Sequence, residues 1–121
     1  MAKRTEFVDF VIEQLAPLGA VLAKAMFGGF GVYLDDLMFA IIVDDSLYFK
    51  ADAATREAFA ALGLRPFTYS SRGKTVAMQY YEAPPDVFES PDAMRDWGQL
   101  AVGAALRARK NSAPRSSGST R

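Results

Sequence analysis

The sequence predicts a two-layer α+β domain, an antiparallel sheet with helices packed on it, in the order α-βββ-α-ββ-α. Three observations carry this. An apolar stripe at helical spacing opens the chain, a series of short strand-like segments parted by tight turns fills its middle, and a long Ala-rich segment with a strong helix-start signal closes it. Neither a helix with one apolar stripe nor a sheet with one apolar face can bury that surface alone, and stacking the helices on the sheet buries both.

Residues 6–16 place Phe7, Val8, Val11, Ile12 and Leu15 on one helical face, with Thr5 as N-cap and Pro17 and Gly19 as the stop. Residues 26–34 read as a strand rich in aromatics and glycine. Asp35-Asp36 is a turn. Leu37–Val43 is apolar on both faces, as a covered central strand is. Asp44-Asp45-Ser46 is a second turn, and residues 47–51 form a third strand, completing a meander.

Asp52 caps a helix over 53–62, ended by Gly63 in a left-handed conformation, then Leu64 and Pro66. Residues 67–71 and 75–81 form a hairpin across Arg72-Gly73-Lys74. Ser90-Pro91-Asp92 gives an N-cap, a proline at the first helical position and an acid in the first turn, and a helix follows over 93–108 with Met94, Trp97, Ala101 and Ala108 on one face. Residues 1–110 form the domain, and 111–121, rich in Ser, Pro and Arg, are expected to be a disordered basic tail.

The chain has 121 residues, half of them apolar, enough for one core without metal or disulfide support. It has no cysteine and no histidine. That removes disulfides, thiolate nucleophiles, imidazole bases and the commonest metal ligands, and with them the usual hydrolytic triads. No apolar run reaches the roughly 20 residues of a membrane helix, and Glu6, Asp9 and Glu13 interrupt any signal-like segment, so a cytoplasmic protein with no membrane partner is expected. Net charge is zero but unevenly placed: Arg107, Arg109, Lys110, Arg115 and Arg121 follow residue 106 with no acid among them, and the rest of the chain carries a matching acidic excess.

Gly28, Gly29 and Gly31 invite a nucleotide-binding reading, but the spacing is not G-x-G-x-x-G and a strand rather than a helix follows. Gly73-Lys74-Thr75 resembles the end of a phosphate-binding loop, yet Thr68 stands where its first glycine belongs. Asp35, Asp36, Asp44 and Asp45 cap opposite ends of one strand, roughly 26 Å apart at about 3.3 Å per residue, too far to share a metal. No catalytic residue, cofactor or metal is therefore assigned. The aromatic-rich sheet fits packing better than base stacking, because few cations interleave with its rings. Tyr80 and Tyr81 point to opposite faces. The candidate interaction residues are Gly29, Gly31 and Tyr33, where two glycines between Phe27 and Tyr33 leave a shallow groove; Arg72 and Lys74 at the hairpin tip; Tyr81; and Arg107, Arg109 and Lys110 at the end of the last helix. The cations also complement the helix dipole, and with the tail they offer weak, salt-sensitive nucleic-acid contact.

The run Met26-Phe27-Gly28-Gly29-Phe30-Gly31-Val32-Tyr33 is followed by Met38-Phe39-Ala40, Leu47-Tyr48-Phe49-Lys50, Pro66-Phe67-Thr68-Tyr69, Met78-Gln79-Tyr80-Tyr81 and Pro84. Together these resemble the N-terminal domain of the TfoX/Sxy competence regulators, over nearly the whole chain to about Arg109. The resemblance implies a bacterial source, the same order of elements, no catalytic residues, and a role in regulating competence genes through transcription, with a cyclic-AMP receptor protein as partner in that family. Full-length members carry a second, helical domain; here a short basic tail stands in its place, and a stand-alone N-terminal domain is expected. A regulatory module acting through a protein partner is the first reading. A homodimeric small-ligand or peptide binder using the sheet surface is the alternative.

Overall fold

The computed structural model describes residues 5–26 and 28–112. Their elements run α1 (Glu6–Leu15), a 3-10 turn (Ala16–Leu18), β1 (Val21–Met26), β2 (Gly29–Leu34), β3 (Leu37–Val43), β4 (Ser46–Lys50), α2 (Arg56–Ala60), β5 (Pro66–Ser71), β6 (Lys74–Glu82), a second 3-10 turn (Pro85–Phe88) and α3 (Pro91–Ser112). The six strands form one antiparallel sheet in the order β1-β2-β3-β4-β6-β5, with β1 and β5 at the edges.

The expected class stands, but the order gains a strand: four strands, not three, precede α2. Residues 26–34 are not one strand. Met26 ends β1 and pairs with Gly29 at the start of β2, so the chain reverses between these two residues, and Gly28 lies in that turn. Gly28 lies at φ +79°, a left-handed conformation that glycine enters without steric cost. The added strand, Val-Leu-Ala-Lys-Ala-Met, has Val21 as its one β-branched residue and is half exposed, because an edge strand is held by backbone pairing more than by a buried face.

The other turns follow their chemistry. Asp44 and Asp45 join β3 to β4 with both φ values positive (52° and 55°), as do Arg72 and Gly73 between β5 and β6 (54° and 80°). Paired left-handed residues give the backbone twist that a tight hairpin needs.

α2 begins at Arg56 rather than at 53, with Thr55 as its N-cap. Asp52 does not start the helix directly: its Oδ1 accepts the Ala54 N–H and the Thr55 hydroxyl, and such a local side-chain bond offers the backbone an alternative to helix. Gly63 is left-handed as expected, at φ +77°, and the N–H of Leu64 returns to the Phe59 carbonyl. Ser90 caps α3 through its hydroxyl, which accepts the Ala93 N–H. That helix continues through Asn111 and Ser112, and residues 113–121 lie outside the described residues.

The helices cover one face of the sheet. Val8, Val11 and Leu15 of α1, Phe59 of α2 and Met94, Ala101 and Ala105 of α3 meet Val32, Phe39, Ala40, Ile42, Leu47 and Phe49 in a single core. Phe39, Phe49 and Phe59 are fully buried; each such side chain contributes about 1.5–3 kcal/mol by its burial. Gly98 lets α3 approach α1 closely: a Cβ there would lie 2.8 Å from Leu15 Cδ2 and 3.0 Å from Leu18 Cδ1.

One irregularity sets the sheet's two faces. Val32 pairs with Ala40 and Tyr33 with Met38, so Phe39 is an extra residue in β3. This bulge turns Phe39 and Ala40 both toward the helices, while Met38 before it and Ile41 and Val43 after it face the other way. A bulge also bends its strand and sharpens the twist.

Candidate interaction surface

Among the described residues no element covers the sheet's second face, yet parts of it are shielded: Ile41 is only 6% exposed and Tyr80 only 5%. The shielding comes from curvature. β1, β2 and β3 on one side and β5 and β6 on the other enclose a hollow of about 460 Å³, lined by Met26, Phe30, Met38, Ile41, Val43, Phe67, Tyr69 and Met78. Cross-strand geometry builds its walls. Gly31 pairs with Ile41 and Tyr33 with Met38, and the Tyr48 ring meets Phe67 edge-on at 5.0 Å.

The two candidate glycines have different roles in that face. A Cβ on Gly29 would sit 2.4 Å from the Ile42 carbonyl oxygen, so a backbone passes where a side chain would stand. A Cβ on Gly31 would sit 2.8 Å from both Met26 Sδ and Met38 Sδ and 3.0 Å from Tyr33 Cε1. Gly31 is thus the low point across which two thioethers and a phenol ring converge. These three groups fill the space over Gly31 where an open groove was expected; Tyr33 is half-buried beside it, and Phe27, the other expected wall, lies outside the described residues.

Two lysines lie over tyrosine rings of this face. Lys24 Nζ stands 4.8 Å from the centre of the Tyr33 ring, and Lys50 Nζ stands 5.1 Å from that of Tyr80. Burial, and the neighbouring Tyr33, push the Tyr80 phenol up to about 12. Burial also raises Tyr48, with Glu82 and Asp44 adding to it.

The remaining candidate residues do not join this surface. Tyr81 points to the helix side, where its ring stacks on Phe59 at 5.4 Å, and Trp97 meets Phe59 at 4.9 Å. Arg72 and Lys74 project at the exposed tip of the β5–β6 hairpin. Arg107 and Arg109 are engaged rather than displayed. Arg107 donates to both Asp52 oxygens, and Arg109 Nη2 donates to Asp36 Oδ1 at 2.8 Å. These bonds hold the Asp52 and Asp36 carboxyls below their ordinary value of 3.8. Lys110 is exposed in the last turn of α3.

The sequence reading found Gly31 and Tyr33 but missed the methionines, Ile41 and the two lysines of the same face. Their shared parity along paired strands was the available signal, and it was hidden by the missing β1 and by the bulge. Among the described residues, no group of three carboxylate, imidazole or thiolate side chains is placed to hold a metal ion, and no helix is long and apolar enough to cross a membrane.

Fold and site together define a small α+β module with helices on one face of its sheet and an open, apolar, concave surface on the other. Its family follows from comparison with known proteins: the TfoX N-terminal domain model matches residues 13–105, and the chain belongs to that family. Protein Sxy of Escherichia coli (strain K12) is 25% identical over 95 residues, covering 78% of this chain and 46% of that protein. DNA transformation protein TfoX1 of Aliivibrio fischeri (strain ATCC 700601 / ES114) is 28% identical over 76 residues, covering 63% of this chain and 36% of that protein. The chain therefore spans less than half the length of either relative.

Proposed function

We propose that this domain is a non-enzymatic regulatory module of the cytoplasm, acting through a protein partner in the control of DNA uptake genes. The observation that carries this reading is the family match from the last turn of α1 into the second half of α3, together with one relative named for DNA transformation. The candidate polar residues support it, because they are spent on turns, caps and ion pairs rather than gathered around a reacting centre. Affinity capture of the tagged chain from its native host, paired with transcript measurement after gene deletion, tests it. Recovery of a transcription factor or polymerase subunit, with altered competence-gene transcripts, is expected. Capture of neither, with unchanged transcripts, would end this reading.

The hollow of about 460 Å³ favours a second reading, that the sheet face binds a small ligand which informs such a regulator. Its volume lies within the roughly 300–1,000 Å³ typical of ligand pockets. A dye-monitored melt against a panel of apolar and amphiphilic compounds tests it; a panel with no compound that raises Tm would count against it.

A further inference from the structure

The hollow on the uncovered face has a lining of one kind. Among the described residues that form it none is charged, and Tyr69 alone carries a hydroxyl. Three of the chain's five methionines, Met26, Met38 and Met78, share it with the aromatic residues Phe67 and Tyr69. The sulfurs of Met26 and Met38 fold over Gly31, each 2.8 Å from the point where a Cβ would stand. Charges elsewhere near this face are of both signs: Lys24 acts on Asp36, and Glu82 and Asp44 act on Tyr48. No single sign of charge therefore selects an ion for the hollow, and an ion entering it would lose its water without gaining a partner.

We propose that this hollow binds an uncharged, planar aromatic molecule of two or three fused rings. The inference rests on the small-ligand reading of the sheet face given above and names the class of ligand. Size follows from volume: 460 Å³ is roughly three times the ~150 Å³ of an apolar cavity that holds benzene. Neutrality follows from the uncharged lining. Aromaticity follows from the neighbours a ligand would meet. Thioether sulfurs favour the edges of rings, and aromatic side chains favour offset or edge-on partners. Phe67 already takes one such partner, the Tyr48 ring edge-on at 5.0 Å. The ends of Met26 and Met38 are unbranched and flexible, so they can swing off Gly31 and close on the faces and edges of a ring. Shape argues against a second copy of the chain: Ile41 is shielded at the floor of a concavity, and an identical concavity laid over it cannot reach that floor.

The test uses the full chain carrying 13C-methyl methionine, titrated at neutral pH with four probes of one skeleton: 2-naphthol, its saturated analogue decahydro-2-naphthol, 2-naphthoate and (2-naphthyl)methylammonium. Met94, fully buried on the helix side, is the internal control. 2-Naphthol is expected to shift the methyls of Met26, Met38 and Met78 by its ring current and leave Met94 unmoved. Both charged probes should bind about tenfold more weakly or worse, since the lining offers neither sign a partner. The saturated alcohol should bind about fivefold more weakly, for want of ring contacts. Tyr69 is 45% exposed on an edge strand, so Tyr69→Leu keeps the fold. It should weaken 2-naphthol about fivefold and leave decahydro-2-naphthol unchanged. If none of the four probes moves the three methyls, both this proposal and the small-ligand reading fall. If a charged probe binds as tightly as 2-naphthol, or if the saturated alcohol matches it and Tyr69→Leu changes neither, the class of ligand is wrong while the small-ligand reading stands. Movement of Met94 together with the other three would mark general loosening of the core and overturn the proposal. So would shifts of the three methyls on dilution of the ligand-free protein, which would reveal a second copy on the face.

Discussion

Arg107 closes on Asp52 with two bonds, Nε to Oδ2 at 2.6 Å and Nη2 to Oδ1 at 3.1 Å, and so ties the end of α3 to the segment that leads into α2. The Asp52 carboxyl also serves Ala54 and Thr55, so one acid organises a turn and anchors a helix 55 positions away.

Acid should expose this arrangement. The Arg107 hydrogen bond lowers the Asp52 carboxyl below 3.8 in the folded state. A depressed carboxyl contributes stability that is present above the unfolded value and is lost as pH falls through the folded one. Urea midpoints measured from neutrality to about pH 2 should therefore drop more steeply below 3.8 in the parent than in Asp52→Asn. Parallel curves would show that the pair contributes nothing measurable.

The two glycines of β2 should separate in their effects. Gly29→Val places a side chain against the Ile42 carbonyl, a backbone atom that cannot yield without breaking the β2–β3 pairing. A loss of about 1–3 kcal/mol in chemical denaturation is expected, as for other overpacked sites. Gly31→Val presses only on the ends of Met26 and Met38 and the edge of Tyr33, which can move. It should lose less stability and instead shift those two methionine methyls. Equal losses at both positions would contradict the distinction.

Phe59 is the hub of the α2 side of the core, fully buried between Tyr81 and Trp97. Phe59→Ala should cost about 3–5 kcal/mol, a large share of the roughly 5–15 kcal/mol of a whole domain. Denaturation followed by Trp97 emission measures it, and the native spectrum should also shift as the ring loses its neighbour. A loss under about 1 kcal/mol would mean that the site collapses to fill the space.

At high pH the uncovered face becomes the weak point. Tyr80 is held neutral up to about 12, whereas unfolded tyrosine ionises near 10.0. Between those values the unfolded chain releases a proton that the folded chain keeps, so stability falls as pH rises from 10 toward 12. Tyr80→Phe should flatten that fall. Absorbance titration at 295 nm should find one of the five phenols of the parent ionising last, and that phenol should be missing from the variant.

The sequence made much of this molecule legible. Thr5 and Ser90 as caps, Gly63 as a helix stop and the aspartate turns at 35 and 44 all rest on local chemistry, and local chemistry can be read from neighbours in the chain. What stayed hidden depends on distant partners. β1 has alanines and a lysine where a strand usually has branched residues, and it exists because β2 supplies its hydrogen bonds. The extra residue at Phe39 breaks the alternation that would have assigned Met38 and Ile41 to one face. Arg107 and Arg109 read as free cations until the fold brings Asp52 and Asp36 beneath them. Helical spacing and turn chemistry gave the fold class, and the family resemblance agreed with it, but neither could reveal a concave surface assembled from five strands.

The position of β1 also bears on how this protein behaves when concentrated. An edge strand offers unpaired amides and carbonyls to any other copy, and β1 is short, unbulged and carries a half-exposed Leu22. Its sole charge is Lys24, at mid-strand. Lysine on an edge opposes its pairing with the edge strand of another copy, whereas the far edge at β5 begins with Pro66 and carries Thr68 and Ser70. A single cation thus guards one side of the molecule's colloidal stability. Charge reversal at Lys24 keeps that guard, while replacement by leucine or methionine removes it and should make the protein self-associate at concentrations the parent tolerates.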